Sequence, residues 1–293
     1  MRSNRLFDSE LVRIVDVRCR PADSCAGAEE CVSTDSVVFP RRGFFVHSIG
    51  RKSVWADANQ VVLFGRQTPY RVSHPIAGGD DCTSFTFAPE VLGEAFGSYD
   101  PAVRERPENP FRVRRLPCPP RVCVSLHRLR MRLRASSDVA ADADPLSVEE
   151  TAMRLLDAVA RNAPASSGVH QRRGPDTLAA QRELAENARA VLAERFNQPV
   201  SLAEVAQRVH SSPYHLARVF RRQTGMPIHR YLLRLRLRSA LEQLADANSR
   251  DLTDLALSTG FSSHSHFSDA FRREFECSPR SLRRTAPRAG CAK

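Results

Sequence analysis

Lysine is almost missing from this chain: Lys52 and Lys293 are the only two among 293 residues, so arginine carries nearly all of the positive charge. Arginine's planar fork suits phosphate and guanine, although base composition of the coding DNA would produce the same bias. No apolar run approaches the ~20 residues needed to cross a bilayer, and the N-terminus lacks the apolar core of a secretory signal. A cytoplasmic location without a membrane partner is therefore expected, and the eight cysteines are then expected to be reduced. Histidine is sparse where strands are expected. Between residues 37 and 89 only His47 and His74 occur, far apart and without a His-x-His pair. That donor set is too poor for a histidine-rich catalytic metal centre, so no metal, no cofactor and no enzymatic activity are expected.

What the chain does have is an uneven positive charge. From Thr177 onward there are 19 basic and 11 acidic residues, a net of +8 out of +11 for the whole chain. Phosphate contacts require such an excess, because affinity for DNA comes largely from counterion release. The same region contains one pattern written twice. SLAEVAQRVHSSPYHLARVFRRQTGMP runs from Ser201 to Pro227, and DLTDLALSTGFSSHSHFSDAFRREFECSP from Asp251 to Pro279. Ser201 with Glu204 has capping-box spacing, and Asp251 with Asp254 is a weaker version of the same start. Ser212 before Pro213 reads as an N-cap with proline at the first helical position. Leu216, Val219 and Phe220 recur on one helical face, as do Phe267, Ala270, Phe271 and Phe275 in the second copy. Two readings remain open for these copies: a pair of helix-turn-helix units, or a small bundle with a solvated polar face.

Both units, and the helix between them, resemble the C-terminal DNA-binding domain of AraC/XylS-family transcriptional regulators. The resemblance covers roughly residues 185 to 285, and GFSSHSHFSDAFRREFECSP is similar to that family's signature. It implies that Tyr214, Ala217 and Arg218 in the first unit, and His264, Ser265, Ser268 and Asp269 in the second, face bases. Arg218 is the strongest base reader among them, since arginine can bond guanine O6 and N7 together. Ser212, Arg221, Arg222, Ser263, Arg272 and Arg273 are the phosphate candidates. Asp269 stands where arginine is common in the family; it is expected to pair with Arg272 or Arg273, with cytosine N4 as the alternative. Glu276 stands where the family has a helix-ending glycine, so a left-handed non-glycine residue is expected there. The helix from about Pro227 to Ala245 should hold the two reading helices about one DNA turn, roughly 34 Å, apart.

Upstream, LVRIVDVRC reads as a strand, residues 23–30 as a loop, and residues 37 to 89 as short strands broken at Pro40, Gly50-Arg51, 57–59, Pro69 and 78–81. That spacing suggests a small antiparallel barrel or jelly roll. Its layout resembles the cupin-like sensory domain common in AraC-family regulators, which implies a small-molecule effector. Phe44, His47, Trp55, Tyr70, His74 and Phe85 are the candidate pocket residues, each of which is also readable as ordinary core. Two amphipathic helices follow, Val122 to Ala135 and Ser147 to Asn162, the second with Ser147 and Glu150 at capping-box spacing. They could pack on the barrel, pair between subunits, or both; the resemblance implies a homodimer.

The fold class is thus α+β and multi-domain. A cupin-like β-barrel with helices is expected over 1–162, a linker over 163–176, and an all-α domain with two helix-turn-helix units over 177–286. The expected function is sequence-specific transcription regulation, with activation favoured, and with promoter DNA, RNA polymerase and an effector as partners. Three alternatives were weighed: a thiol- or metal-responsive regulator using Cys19, Cys25 and Cys31, a cupin-type enzyme fused to a DNA-binding domain, and a non-specific architectural DNA protein.

Overall fold

The computed structural model describes residues 1–20, 26–75, 78–138, 144–163, 175–244 and 251–284. Its N-terminal half contains strands β1 (Arg2–Asp8), β2 (Val12–Cys19), β3 (Ala26–Glu30), β4 (Ser36–Ile49), β5 (Lys52–Asp57), β6 (Gln60–Phe64), β7 (Tyr70–Ser73) and β8 (Asp80–Phe87). Helices α1 (Pro89–Gly97) and α2 (Pro101–Glu105), strand β9 (Arg115–Pro117), and helices α3 (Pro120–Asp138) and α4 (Pro145–Ala160) follow. All strand pairings are antiparallel.

The 14-residue β4 belongs to two layers. One layer has the order β1-β2-β8-β4-β6-β9; in the other, β4 also pairs with β5 and β7, and β7 with β3. Pro40 was expected to end a strand here. The strand instead continues, because pairing with β8 slips between Pro40 and Arg42, and such a bulge accommodates a residue without an N–H. Gly43 lies just beyond, at φ +69°, where an added Cβ would collide with the Gly79 carbonyl. Residues 26–30, expected as loop, form β3, and β1 arises from a stretch to which the sequence reading assigned no element.

All five residues of β6 are buried, because both of its faces are covered. Val62 and Phe64 join Phe45, Ala56, Tyr70 and Cys82 in one core. Val61 and Leu63 point the other way, joining Ile14, Phe85 and helical residues such as Leu92, Leu126 and Leu156 in a larger core. Helices α3 and α4 therefore pack on the sheet. Helix α4 starts at Pro145 with Asp144 as its cap, the carboxylate accepting from the N–H groups of Leu146 and Ser147 at 3.3 Å each. The Ser147 start inferred from capping-box spacing is thereby displaced by one earlier acid followed by proline.

The C-terminal half is helical: α5 (Pro175–Glu194), α6 (Leu202–Arg208), α7 (Pro213–Thr224), α8 (Ile228–Gln243), α9 (Leu252–Ser258), α10 (His264–Phe275) and α11 (Pro279–Arg284). The N-terminal part of α8 gives Tyr231, Leu232 and Leu235 to a core shared with Leu216 and Phe220. Its C-terminal part gives Leu237, Ala240 and Leu241 to a core shared with Phe267, Phe271 and Phe275. Most of the expected linker, residues 164–174, lies outside the described residues.

The helical half does not stand apart from the sheet, as a self-contained domain would. The Tyr231 hydroxyl donates to Asp57 Oδ2 at 2.5 Å, and Asn59 Nδ2 donates to the Tyr231 carbonyl at 3.2 Å. Arg238, 3% exposed, donates to the carbonyls of Ala58 and Cys118. Arg115 beside β5 pairs with Glu186 of α5. Deepest is a cluster of Asp16, Arg41, Arg130, Arg134 and Glu242. Arg130 is fully buried, and its guanidinium bridges Asp16 at 3.0 Å and Glu242 at 2.9 Å, while Arg41 reaches Glu242 at 2.7 Å. Burial pushes both carboxyls up, but the arginines outweigh it: Arg130 and Arg41 hold Asp16 and Glu242 each down at about 2. Charges so deep are tolerated only when paired and hydrogen-bonded.

Candidate nucleic-acid interface

The first helix pair begins on a side-chain cap. The Ser201 hydroxyl accepts from the Glu204 N–H at 3.1 Å. The Glu204 carboxylate is held below its usual range by Arg195, burial opposing, with help from the Ser201 N–H. Asp251 makes no side-chain cap bond, as its weaker spacing implied. In the turns, His210 and Gly260 both take positive φ, 51° and 87°. At Gly260 a Cβ would press on the Asn197 backbone at 3.0 Å, so glycine is required there, whereas His210 carries the strain itself.

The second helices start on Ser212 and Ser263, whose hydroxyls accept from the N–H groups of His215 and His266, each at 3.2 Å. As caps both hydroxyls accept, which leaves each O–H free to donate outward. Leu216, Val219 and Phe220 are buried, as are Phe267, Ala270, Phe271 and Phe275. This leaves Tyr214, Arg218, Arg221 and Arg222 exposed, with Ala217 half-buried between them. On α10, His264, Ser265, Asp269, Arg272 and Arg273 are exposed, and Ser268 is half-buried near His264 Nε2 at 3.4 Å. Tyr214 is 78% exposed, unusual for an aromatic side chain with no polar partner among the described residues. Helix α7 ends on Gly225 at φ 75°, and α10 ends on Glu276 at φ 58° in the same left-handed turn.

The expected intrahelical pair at Asp269 does not form. Among the described residues no ion pair within 4.0 Å involves Asp269, Arg272 or Arg273, nor Arg218, Arg221 or Arg222. The outward faces of α7 and α10 thus hold arginines whose charge is not spent inside the protein. Glu274 differs: it lies on the inner side of α10 and meets Arg234 of α8 at 2.7 Å, fixing one unit to the connecting helix. Arg236 of α8 does the same for the other unit, donating to the Phe196 and Gln198 carbonyls at 2.7 and 2.8 Å. Sequence reasoning missed both clamps, since nothing local separates these arginines from those facing outward.

The six effector candidates do not converge. His47 and Tyr70 face the inner core beside Phe64, at ring distances of 5.4 Å between themselves and 4.3 Å from His47 to Phe64. Phe44 and Trp55 stack at 5.5 Å on the opposite face of β4 and β5, the face that carries Asp57 and its bond to Tyr231. Phe85 belongs to the larger core under the helices, and His74 pairs with Asp80 at the end of β7. Neither ring nitrogen of His47, a residue 1% exposed, has a hydrogen-bond partner among the described residues. Burial, aided by Arg114, drives its pKa down to about 4, so the ring is neutral. A cavity of about 290 Å³ lies elsewhere, between α3 and α4, lined by Arg128, Leu129, Arg132, Arg154 and Leu155. Of the cysteines singled out, Cys31 is exposed, Cys19 half-buried and Cys25 outside the described residues.

Comparison with known proteins bears on the same region. A family model described as a helix-turn-helix domain matches residues 205–285. The HTH-type transcriptional activator RhaS of Klebsiella pneumoniae (strain 342) is 40% identical over 94 residues, 32% of this chain and 34% of RhaS. The protein of the same name from Escherichia coli (strain SE11) is 42% identical over the same length and the same shares. The match thus spans about a third of those relatives. Among solved structures, a Chromobacterium violaceum transcriptional regulator described by its AraC-type DNA-binding domain shares 29% identity, covering 38% of this chain and 99% of that one, with a TM-score of 0.35. ToxT from Vibrio cholerae O395 covers 95% of this chain and 99% of its own at 9% identity, with a TM-score of 0.36. Residues 205–285, with their duplicated capped helices, match the helix-turn-helix domain family and resemble the corresponding third of the RhaS activators.

Proposed function

We propose that this chain is a sequence-specific regulator of transcription that lays α7 and α10 against the same face of promoter DNA. The observation that carries this reading is the set of exposed arginines on the two helices, left without ion pairs among the described residues, whereas the buried Arg41, Arg130 and Arg189 are each paired with a carboxylate. Arg218 with Tyr214 and Ala217, and His264, Ser265, Ser268 and Asp269, sit over the first turns, where a recognition helix meets base edges. Arg221, Arg222, Arg272 and Arg273 follow toward the helix ends, suited to phosphate. Asp269, unpaired, accepts from cytosine N4 in this reading. Activation as the mode is supported by the name of the RhaS relatives, and RNA polymerase as a partner belongs to the same proposal.

The N-terminal sheet, in this proposal a cupin-like barrel, binds a small effector near His47. Its buried and unpartnered ring nitrogens among Phe64 and Tyr70 favour a ligand that offers hydrogen bonds. Assembly as a homodimer through α3 and α4 belongs to the same reading. Footprinting tests the core of it: discrete protected sites, two turns of major groove each, are expected, and uniform coverage refutes specificity. Arg218→Ala should cost roughly 1–3 kcal/mol on the specific site and little on random DNA. Equal losses on both would remove its base-reading role.

A further inference from the structure

Outside the DNA-facing helices, one polar cluster is unexplained by packing. Cys19 ends β2, His74 follows β7 and Asp80 begins β8, so three separate stretches of chain bring them together. Cys19 and Asp80 are directly paired across β2 and β8, which puts their side chains on one face. One donor atom from each of the three residues lies within 4.8 Å of the others. His74 Nε2 stands 2.5 Å from Asp80 Oδ1, and the Cys82 thiol donates to Asp80 Oδ2 at 2.8 Å.

The charge balance points to a missing cation. Asp80 is 5% exposed, yet among the described residues no arginine or lysine forms an ion pair with its carboxylate; Arg20 reaches only its carbonyl, at 2.9 Å. Its neighbour Asp81 is just as deep but is matched by Arg20 at 2.7 Å. A buried carboxylate facing only an imidazole and thiols is costly to hold. A divalent ion offsets that cost, and the donor types choose it. One thiolate, one imidazole nitrogen and one carboxylate oxygen suit Zn²⁺, whereas calcium and magnesium prefer all-oxygen sites. Thiolate and carboxylate together neutralise the ion's two charges.

We propose that Cys19, His74 and Asp80 form a three-ligand Zn²⁺ site at the rim of the N-terminal sheet, with the fourth position open to an outside ligand. Cys82 then holds the free carboxylate oxygen and sets the rotation of Asp80. The site also touches the path to the DNA-binding half. The Cys82 carbonyl accepts from Arg41 Nη2 at 3.2 Å, and Arg41 binds Glu242 of α8 at 2.7 Å. Occupancy that shifts the start of β8 is therefore felt at α8. This last step rests on the regulatory reading above; the binding of zinc does not.

The full-length protein, stripped with chelator under reducing conditions, is titrated with Zn²⁺ against a chromophoric competitor. Co²⁺ is added in parallel as a spectroscopic probe. One equivalent of zinc is expected, and a near-ultraviolet thiolate-to-cobalt charge-transfer band. Cys19→Ser should abolish that band, and Cys19→Ser and His74→Gln should each weaken zinc at least about tenfold. Cys118→Ser controls for the other close thiol pair, Cys118 and Cys123, at 3.3 Å. The site is overturned if wild-type protein binds less than one equivalent or shows no charge-transfer band, a result independent of whether any variant folds. It is equally overturned if folded Cys19→Ser binds as tightly as wild type, or if Cys118→Ser alone removes binding. Zinc bound at the site with unchanged affinity for a specific DNA target refutes the coupling to α8 and leaves both the site and the DNA-binding reading standing.

Discussion

Glu242→Gln should be among the most damaging single-atom changes in this protein at neutral pH. Glu242 sits on α8 with two buried arginines upon it, Arg130 at 2.9 Å and Arg41 at 2.7 Å. With Asp16 it forms the anionic half of a cluster that also holds Arg134. The amide keeps the shape but removes one of two negative charges facing three positive ones, leaving buried guanidinium charge uncompensated. Breaking a buried pair on one side costs about 3–5 kcal/mol. Titration gives a second estimate. The Glu242 carboxyl is held down from 4.5 to about 2, burial opposing and Arg130 and Arg41 prevailing, and such a shift amounts to about 3 kcal/mol of stability. The two routes agree on size. They also fix the pH dependence: a carboxyl with a lowered folded pKa contributes fully above its unfolded value and loses that contribution as pH falls toward the folded one. Wild type and variant should therefore differ by about 3 kcal/mol near neutrality and converge from pH 4.5 toward about 2. Urea unfolding followed by the fluorescence of Trp55, beside the α5 contact at Glu186, measures both. A cost under about 1 kcal/mol at neutral pH, or a gap that stays constant through that acid range, would refute the reasoning.

Three further perturbations test other parts. His47 and His127 are both buried and both pushed down from 6.5 to about 4, chiefly by burial; the unfolded chain takes up protons first, so stability should fall as pH drops from 6.5 to 4, by up to about 3 kcal/mol for each ring. His47→Leu should flatten that slope in a urea series, and an unaltered slope would mean that the ring is not desolvated. Glu276→Gly relieves a left-handed backbone at φ 58° and gives up only an exposed pair with Arg121, so the unfolding free energy in a urea series should rise by up to about 1 kcal/mol; a fall would show that the side chain matters more than the backbone. Asp269→Ala should relax preference at one base pair of a selected site by about 1–3 kcal/mol, whereas a uniform gain on all DNA would show that the carboxylate merely repels phosphate.

The readability of this sequence follows the range of its interactions. Caps, turns and apolar stripes act over three or four residues, and there the pattern was sufficient: Ser212 with Pro213 and the Phe267–Phe275 stripe are where the spacing put them, whereas the left-handed turn at Glu276 was implied only by the family's glycine at that place. Strand boundaries were legible over β6 and β7, but β1 and β3 carried no strand pattern, and Pro40 looks like an end until a bulge is known to absorb it. The effector candidates divide between two faces for a register reason. Phe44 and Phe45 are neighbours in sequence but face opposite sides of β4, and composition cannot say which side is the inside. The interdomain cluster was wholly illegible. Arg128, Arg130, Arg132 and Arg134 repeat evenly along α3, yet only Arg130 and Arg134 meet Asp16, which lies more than a hundred residues away.

That cluster also changes how the two helix-turn-helix units relate to the rest of the chain. Both of their cores are built on α8, one on Tyr231, Leu232 and Leu235 and the other on Leu237, Ala240 and Leu241. The remaining side of α8 is bonded to the sheet through Tyr231, Arg238 and Glu242. A displacement of the sheet against α8 must therefore either break buried charge contacts, each costly, or carry α8 with it. In the second case both units move as one body, because the buried cores of both are built on α8 side chains. The spacing of the two reading helices is then fixed by α8, and what the N-terminal half can alter is how the pair as a whole is presented to DNA. On the proposed function, a signal from the N-terminal half would reach α8 through the Asp16–Arg130–Glu242 contact, and cutting the covalent connection between the halves should matter less than neutralising that one glutamate.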